Sequence, residues 1–207
     1  MQAQIATAGA RGIDTVAHLS AKNCADLKAA GYSFVVRYLG GISPAELSII
    51  LTSGLAFMPV TYCRGEGWRP SGEMGTKDGQ QAVAQLKMLA LPATITVWRD
   101  LEGVAVFGAP VSAYVNAWAH EIKAAGYDPG LYVGAECGLS SGALWKLAVD
   151  RYWHSCSKVP DVATCGYCMV QEYPPNKHIC AVQVDTDVVM ADKLGRLPAW
   201  AVGVEEG

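Results

Sequence analysis

Charge is what this chain has least of. Only 17% of its 207 residues are Asp, Glu, Lys or Arg, and the formal net charge is −3. Its basic residues are scattered, so no electrostatic footprint for nucleic acid or an anionic membrane is present. No apolar run approaches the ~20 residues that cross a bilayer, which argues against membrane insertion. Residues 1–10 have neither a basic start nor a long apolar stretch, and read as an N-terminal extension, not a cleaved signal. Several catalytic signatures are missing as well. There is no Gly-x-Ser-x-Gly elbow and no His-Glu-x-x-His pair, which argues against a serine hydrolase or a zinc protease. Gly40-Gly41 and Gly65-Glu66-Gly67 lack the spacing and the following helix of a nucleotide fingerprint.

Hydrophobic residues, by contrast, make up 51% of the chain. That composition and length fit one compact α/β domain spanning residues 1–207. Short apolar strands are expected at 11–16, 34–39, 56–62, 93–102, 130–134, 151–154, 169–173 and 182–185. Helices are expected at 24–30, 44–53, 78–89, 111–125 and 141–149. Ser43-Pro44-Ala45-Glu46 supplies a cap, a first-turn proline and an acidic first turn. Gly31, Gly54 and Gly126 follow helices as stop signals. The segment 63–77, with four glycines and a proline, reads as an ordered functional loop.

Repeated strand-then-helix units imply parallel strands with right-handed crossovers. Eight strands with helices thinning out late predict an irregular TIM-like (β/α) barrel whose last helices are reduced or missing. A doubly wound open sheet is the competitor. The barrel is favoured because polar residues recur at many strand ends: Asp14, Arg37, Tyr62, Asp100, Glu102, Tyr132, Gln171 and Asp185. A barrel gathers such ends on one rim.

The densest chemistry lies in Asp100-Leu101-Glu102. Alternate residues of a strand share a face, so the two carboxylates point the same way, with α-carbons roughly 6.6 Å apart. Paired carboxylates at a strand's C-terminal edge are what acid-catalysed glycosidic cleavage needs. Mutual repulsion raises one pKa, so that one group holds a proton while the other stays ionised. Asp14 and Asp185 add negative charge nearby. Asp187 shares a face with Asp185, so either member of that pair fits a role in the site. Tyr62, Tyr132, Tyr173 and Trp68 could stack on sugar rings, or pack within the barrel. Arg37 fits a structural ion pair as well as a ligand contact.

Gly12-Ile13-Asp14, the stretch from Ala30 to Leu39, Trp98-Arg99-Asp100-Leu101-Glu102, the stretch from Gly126 to Gly134, and Val184-Asp185-Thr186-Asp187 together resemble the glycoside-hydrolase-like domain of unknown function related to the family 25 lysozymes. The resemblance runs from about residue 11 to residue 197. It implies an irregular barrel acting on bacterial peptidoglycan, cleaving between N-acetylmuramic acid and N-acetylglucosamine. It implies Glu102 as the general acid and Asp100 as the carboxylate that assists through the substrate's 2-acetamido group. Asp14, Tyr62, Tyr132 and Asp185 match rim positions, and with Arg37, Gln171 and Asp187 they complete the expected substrate-binding set. Trp98-Arg99 stands where the lysozymes usually carry smaller apolar or aromatic residues. A non-catalytic carbohydrate-binding barrel and a glycosidase for another polysaccharide are the rivals.

Seven cysteines, an odd number, leave at least one thiol unpaired unless chains are cross-linked. Cys24 and Cys63 sit in apolar contexts and read as core thiols. His154, Cys156, Cys165, Cys168, His178 and Cys180 crowd together late in the chain. A zinc site, disulfides such as Cys156 with Cys165 or Cys168 with Cys180, and free thiols all fit that spacing. The chemistry itself calls for no cofactor or metal. The expectation is therefore a monomer, made in the cytoplasm, that reaches the cell wall as a phage lysis or tail protein or as an exported effector.

Overall fold

The computed structural model describes residues 1–62 and 64–204. In chain order the elements are β1 (Gln2–Ile5), β2 (Arg11–Thr15), α1 (Ala21–Ala29), β3 (Phe34–Tyr38), α2 (Pro44–Thr52), β4 (Ala56–Thr61), α3 (Gly72–Met88), β5 (Thr96–Leu101), α4 (Ala109–Ala124), β6 (Asp128–Val133), α5 (Ser141–Trp145), β7 (Arg151–His154), β8 (Met169–Ile179), β9 (Val182–Val189) and β10 (Ala199–Val202). Strands β2 to β9 close an eight-stranded barrel, the circle completed by β4 on β5 and β2 on β9. The fold is an irregular TIM-like barrel. Strand β1, within the expected N-terminal extension, pairs antiparallel with β10, which in turn lies against β4.

Three expectations change. The run of parallel pairs holds from β2 through β8, but β9 is antiparallel to both β8 and β2. Only Cys180 and Ala181 separate β8 from β9, and a two-residue connection can only reverse the chain. The expected helix at 141–149 also contracts to the five residues of α5.

Helix α3 differs in the other direction. It begins at Gly72, six residues before the sequence suggests, with the Ser71 hydroxyl accepting from the Met74 N–H as its cap. Its glycines are there for close packing against α4. A β-carbon at Gly75 would lie 2.1 Å from the Tyr114 carbonyl oxygen, and one at Gly79 would lie 2.7 Å from Glu121 Cβ. Residues that look like loop by composition let two helices touch at their backbones.

Apolar residues divide into two clusters. Ile13, Val35, Phe57, Val97 and Leu131 face outward and meet Leu27, Leu47, Leu86 and Trp118 of the helices. Phe34, Val36, Met58, Val60, Trp98, Trp153 and Met169 fill the barrel itself. Glycines make room for the interior rings. A β-carbon at Gly12 would lie 2.4 Å from the Phe34 ring, and one at Gly130 would lie 2.4 Å from the Trp98 ring. Each of these glycines sits two residues before a polar group on the same strand face, Asp14 and Tyr132. An aromatic floor thus lies one layer below the rim.

The β8–β9 turn places both Cys180 (φ +49°) and Ala181 (φ +62°) in the left-handed region. Side chains with a β-carbon pay for that conformation, and Asn-Gly is the pair that suits it. Changing Cys180-Ala181 to Asn-Gly is therefore expected to stabilise the protein by about 1 kcal/mol. A urea midpoint that stays put or falls would contradict this.

Candidate active site

Strand parity decides which side chains reach the mouth. On β2, Asp14 points inward with Gly12. On β5, Asp100 follows Trp98 on the interior face, and Glu102 continues that face just past the strand's end. Register places Asp100 beside Tyr132 of β6 and Asp14 beside Asp185 of β9. The result is a cleft of about 210 Å³ at the C-terminal rim, lined by Asp14, Tyr38, Asp100, Glu102, Tyr132, Trp153, Cys156, Gln171 and Asp185, among others. Trp153 forms its floor, with its ring edge-on to Tyr132 at 4.6 Å and to Trp98 at 5.7 Å.

Gln171 is the hub of the polar network. Its Oε1 accepts from the Tyr132 hydroxyl at 3.1 Å and from the Cys156 N–H at 2.9 Å. Its Nε2 donates to Asp185 Oδ2 at 2.7 Å and, more weakly, to Asp14 Oδ2 at 3.5 Å. Every hydrogen-bonding position of the amide is thereby used, so Gln171 positions its neighbours. Asp185 Oδ1 also accepts from the Asn176 N–H.

The carboxyls are held where charge is costly. Burial pushes Asp100 up to about 7, reinforced by Glu102 and Asp14 and opposed by the Tyr38 hydroxyl and Arg99. Tyr38 donates to Asp100 Oδ2 at 2.9 Å, while Oδ1 is buried without a partner in the protein. Burial also raises Asp14 and Asp187, which face each other. Asp187 is fully buried; its Oδ1 accepts from Trp153 Nε1 at 2.9 Å. The negative charge of Asp185 adds to the rise at Asp14, and that of Asp14 adds to the rise at Asp187.

Glu102 is half-buried at the outer edge of the cleft. Its carbonyl accepts from Trp68 Nε1 at 2.8 Å, which ties the β4–α3 connection to the end of β5. Its side chain lies directly over Gly134. A β-carbon there would come within 2.5 Å of both Glu102 Cβ and Oε2. Gly134→Ala must therefore displace the Glu102 carboxyl and also the end of β5 that carries the Glu102 β-carbon. We expect a destabilisation of about 1–3 kcal/mol, because a contact that close is overpacked. A urea midpoint equal to that of the unmodified protein would contradict this.

Of the residues expected in the site, Asp14, Asp100, Glu102, Tyr132, Gln171 and Asp185 come together around the cleft. Asp187 lies beneath it, bonded to Trp153. Tyr62 stands to one side, 71% exposed, with its ring 6.3 Å from that of Tyr38. Tyr173 is exposed on β8, and Trp68 packs edge-on against Tyr114 at 5.0 Å. Arg37 is the exception. It points away from the mouth into the layer under α2, where Nε donates to Glu46 Oε1 at 2.9 Å and Nη1 to the Thr15 carbonyl at 3.0 Å. At 1% exposure it is a structural ion pair and not a ligand contact. Tyr38, the next residue, takes the rim position instead. Tyr38 and Trp153 belong to the site but were not among the expected residues, and Cys156, which also lines it, was expected only in the late histidine–cysteine cluster. Their signal was parity: Tyr38 shares a face with Phe34 and Val36.

The late histidine–cysteine cluster does not assemble. Among the described residues, no group of three His, Cys, Asp or Glu side chains could hold a metal ion, and Cys24, Cys137, Cys156, Cys165, Cys168 and Cys180 are free thiols. Cys168 packs inside the barrel, Cys165 lies outside it, Cys156 is on the rim and Cys180 is in the β8–β9 turn, so closeness in sequence does not become closeness in space. Cys24 is buried as expected; Cys63 lies outside the described residues. No described helix is long and apolar enough to cross a membrane.

The same fold occurs in proteins of distant sequence. An uncharacterized B. stearothermophilus protein is 19% identical, with a TM-score of 0.68 over 87% of this chain and 96% of that one. The catalytic domain of endolysin ply40 from bacteriophage P40 of Listeria monocytogenes is 17% identical, with a TM-score of 0.59 over 89% and 94%. The bacterial lysozyme from Streptomyces coelicolor is 14% identical, with a TM-score of 0.57 over 91% and 95%. No curated protein sequence matches this one. The architecture thus resembles that of a bacterial lysozyme and of an endolysin catalytic domain at low sequence identity. The model of one family matches residues 25–189, most of the barrel, and the chain belongs to that family, the Rv2525c-like, glycoside hydrolase-like domain.

Proposed function

We propose that this protein is a glycoside hydrolase that cleaves the glycan of bacterial peptidoglycan, in the manner of a muramidase. The observation that carries the reading is the convergence of Asp14, Asp100, Glu102 and Asp185, from three strands, on one cleft at the barrel's C-terminal rim. Barrel enzymes place their chemistry at that face. The lysozyme and endolysin folds cited above support the choice of polymer.

In this reading Glu102 is the general acid. Its carboxyl donates a proton to the bridging oxygen as the glycosidic C–O bond breaks, and the departing sugar keeps that proton. The substrate's 2-acetamido oxygen closes on the anomeric carbon, and Asp100 holds the amide N–H and offsets its developing charge. The buried, unpartnered Oδ1 of Asp100 is suited to accept that N–H. Water then attacks the anomeric carbon, giving its proton back to the Glu102 carboxylate, and the cyclic intermediate opens. Asp14, Asp185 and Tyr132 bind sugar hydroxyls around this centre. The site so described needs no cofactor. The protein would act on the cell wall as a phage lysis or tail protein or an exported effector.

The test is to incubate purified protein with isolated cell walls and assay new reducing ends. Release of muramic-acid reducing ends supports the reading. Binding to walls without release, at any pH from 4 to 8, would replace it with a carbohydrate-binding barrel.

A further inference from the structure

Arg99 lies between Trp98 and Asp100 but on the opposite face of β5, so it faces α3 and not the cleft. Its side chain is 3% exposed. Nη1 donates to Thr61 Oγ1 at 3.3 Å, and the guanidinium sits 5.1 Å from the Tyr114 ring centre. Nε and Nη2 are buried with no hydrogen-bond partner. Asp78 Oδ2 stands 3.9 Å from Nη2, too far for a hydrogen bond. Asp78 is engaged elsewhere: its carboxylate takes Arg64 Nη2 at 2.5 and 2.7 Å and the Tyr114 hydroxyl at 2.6 Å. Two guanidinium groups thus share the Asp78 carboxylate.

A notch of about 230 Å³ opens on these groups, with Arg99 and Thr61 on one side, Gln81 and Gln85 of α3 on the other, and Tyr62 at its lip. Buried guanidinium donors without an acceptor are costly, and a planar oxyanion matches their fork. We propose that this notch is an oxyanion site that takes a carboxylate or a phosphate group. It is separate from the carboxyl-lined cleft, which repels such groups. The two are neighbours, since Arg64 lines both the notch and the surface depression that contains Glu102. An acidic substituent on a polymer lying in the mouth would be within reach of it. That polymer-borne source rests on the proposed glycan hydrolysis; binding of the free ion does not.

Calorimetric titration of the intact protein with inorganic phosphate, and separately with acetate, tests the site. One saturable equivalent is expected, accompanied by a rise in Tm. Arg99→Gln is expected to abolish both effects. Asp78→Asn removes the internal competitor and is expected to tighten phosphate binding by about tenfold. This opposite sign keeps the test decisive should Arg99→Gln fail to fold. No saturable binding by the unmodified protein, or equal binding by Arg99→Gln, overturns the proposal. Competition decides the source. If the polymer supplies the group, phosphate raises the apparent KM for walls in the unmodified protein, and this sensitivity disappears in a folded Arg99→Gln. If phosphate binds but leaves wall hydrolysis unchanged, the site serves the free ion. A protein that binds phosphate but hydrolyses no wall would refute the glycan reading and leave the oxyanion site standing.

Discussion

Replacing Glu102 by glutamine is expected to lower reducing-end release from cell walls by about 10²–10⁴-fold, the span over which general acid catalysis contributes. Glutamine keeps the shape of the side chain and its place over Gly134, but has no proton to give a departing sugar. The urea midpoint should hardly move, because Glu102 is only half-buried and lies beyond the end of β5. Affinity for walls should persist as well, since Asp14, Tyr132 and Asp185, the groups proposed above to bind sugar, are untouched. Activity within threefold of the unmodified protein would remove Glu102 from the chemistry, whatever its position suggests.

Stability is expected to fall as pH rises from about 4 to about 7, the reverse of ordinary acid denaturation. Folding raises Asp100 from 3.8 to about 7. Within that window the native state binds more protons than the unfolded chain, so the slope of unfolding free energy against pH is negative. The stabilisation is complete below about pH 4 and lost by the time pH passes 7. For Asp100 alone the loss is on the order of a few kcal/mol, and the Asp14–Asp187 pair adds to it with the same sign. Glu172 and Asp161, lowered chiefly by hydrogen bonds to Thr186 and Lys193, act oppositely and only toward the acid end. Urea titrations at pH 5 and pH 7.5 measure the effect. Asp100→Asn should shrink the difference between the two and raise stability at pH 7.5, while slowing wall hydrolysis. Equal pH dependence in both proteins would show that Asp100 ionises normally. Such a trade of stability against activity is expected where carboxylates are buried for use.

The rim was legible because a polar residue at the end of an apolar strand is conspicuous. Asp14, Asp100, Glu102, Tyr132, Gln171 and Asp185 all stand out in this way, and the closed barrel brings them together. Which face each one takes was harder to read. Strand β3 is apolar on both sides, so Phe34-Val35-Val36-Arg37-Tyr38 shows no alternation to separate barrel interior from helix layer. The charged Arg37 drew attention, and its uncharged neighbour Tyr38 holds the site position. Trp153 escaped notice for the same reason. Helix α3 was misjudged at its start because its glycines answer to a neighbouring helix about 40 residues on, which composition within the segment does not reveal. The reversal of β9 did leave a trace. No helical periodicity separates 169–173 from 182–185, and strands without an intervening helix pair as hairpins.

That hairpin has an evolutionary consequence. On most of the barrel, the walls of the mouth are connections that can grow or shrink freely. Here one wall is a two-stranded ribbon, with Asp185 and Gln171 at its base, a bulge on β8 between Glu172 and Lys177, and Cys180-Ala181 at its tip. Beyond the bulge side chains alternate, so adding a single residue to one arm there would swap the inner and outer sets, whereas adding two would preserve them. Relatives with deeper or shallower mouths should therefore differ at this ribbon by even steps, lengthened at the tip, with the base left alone.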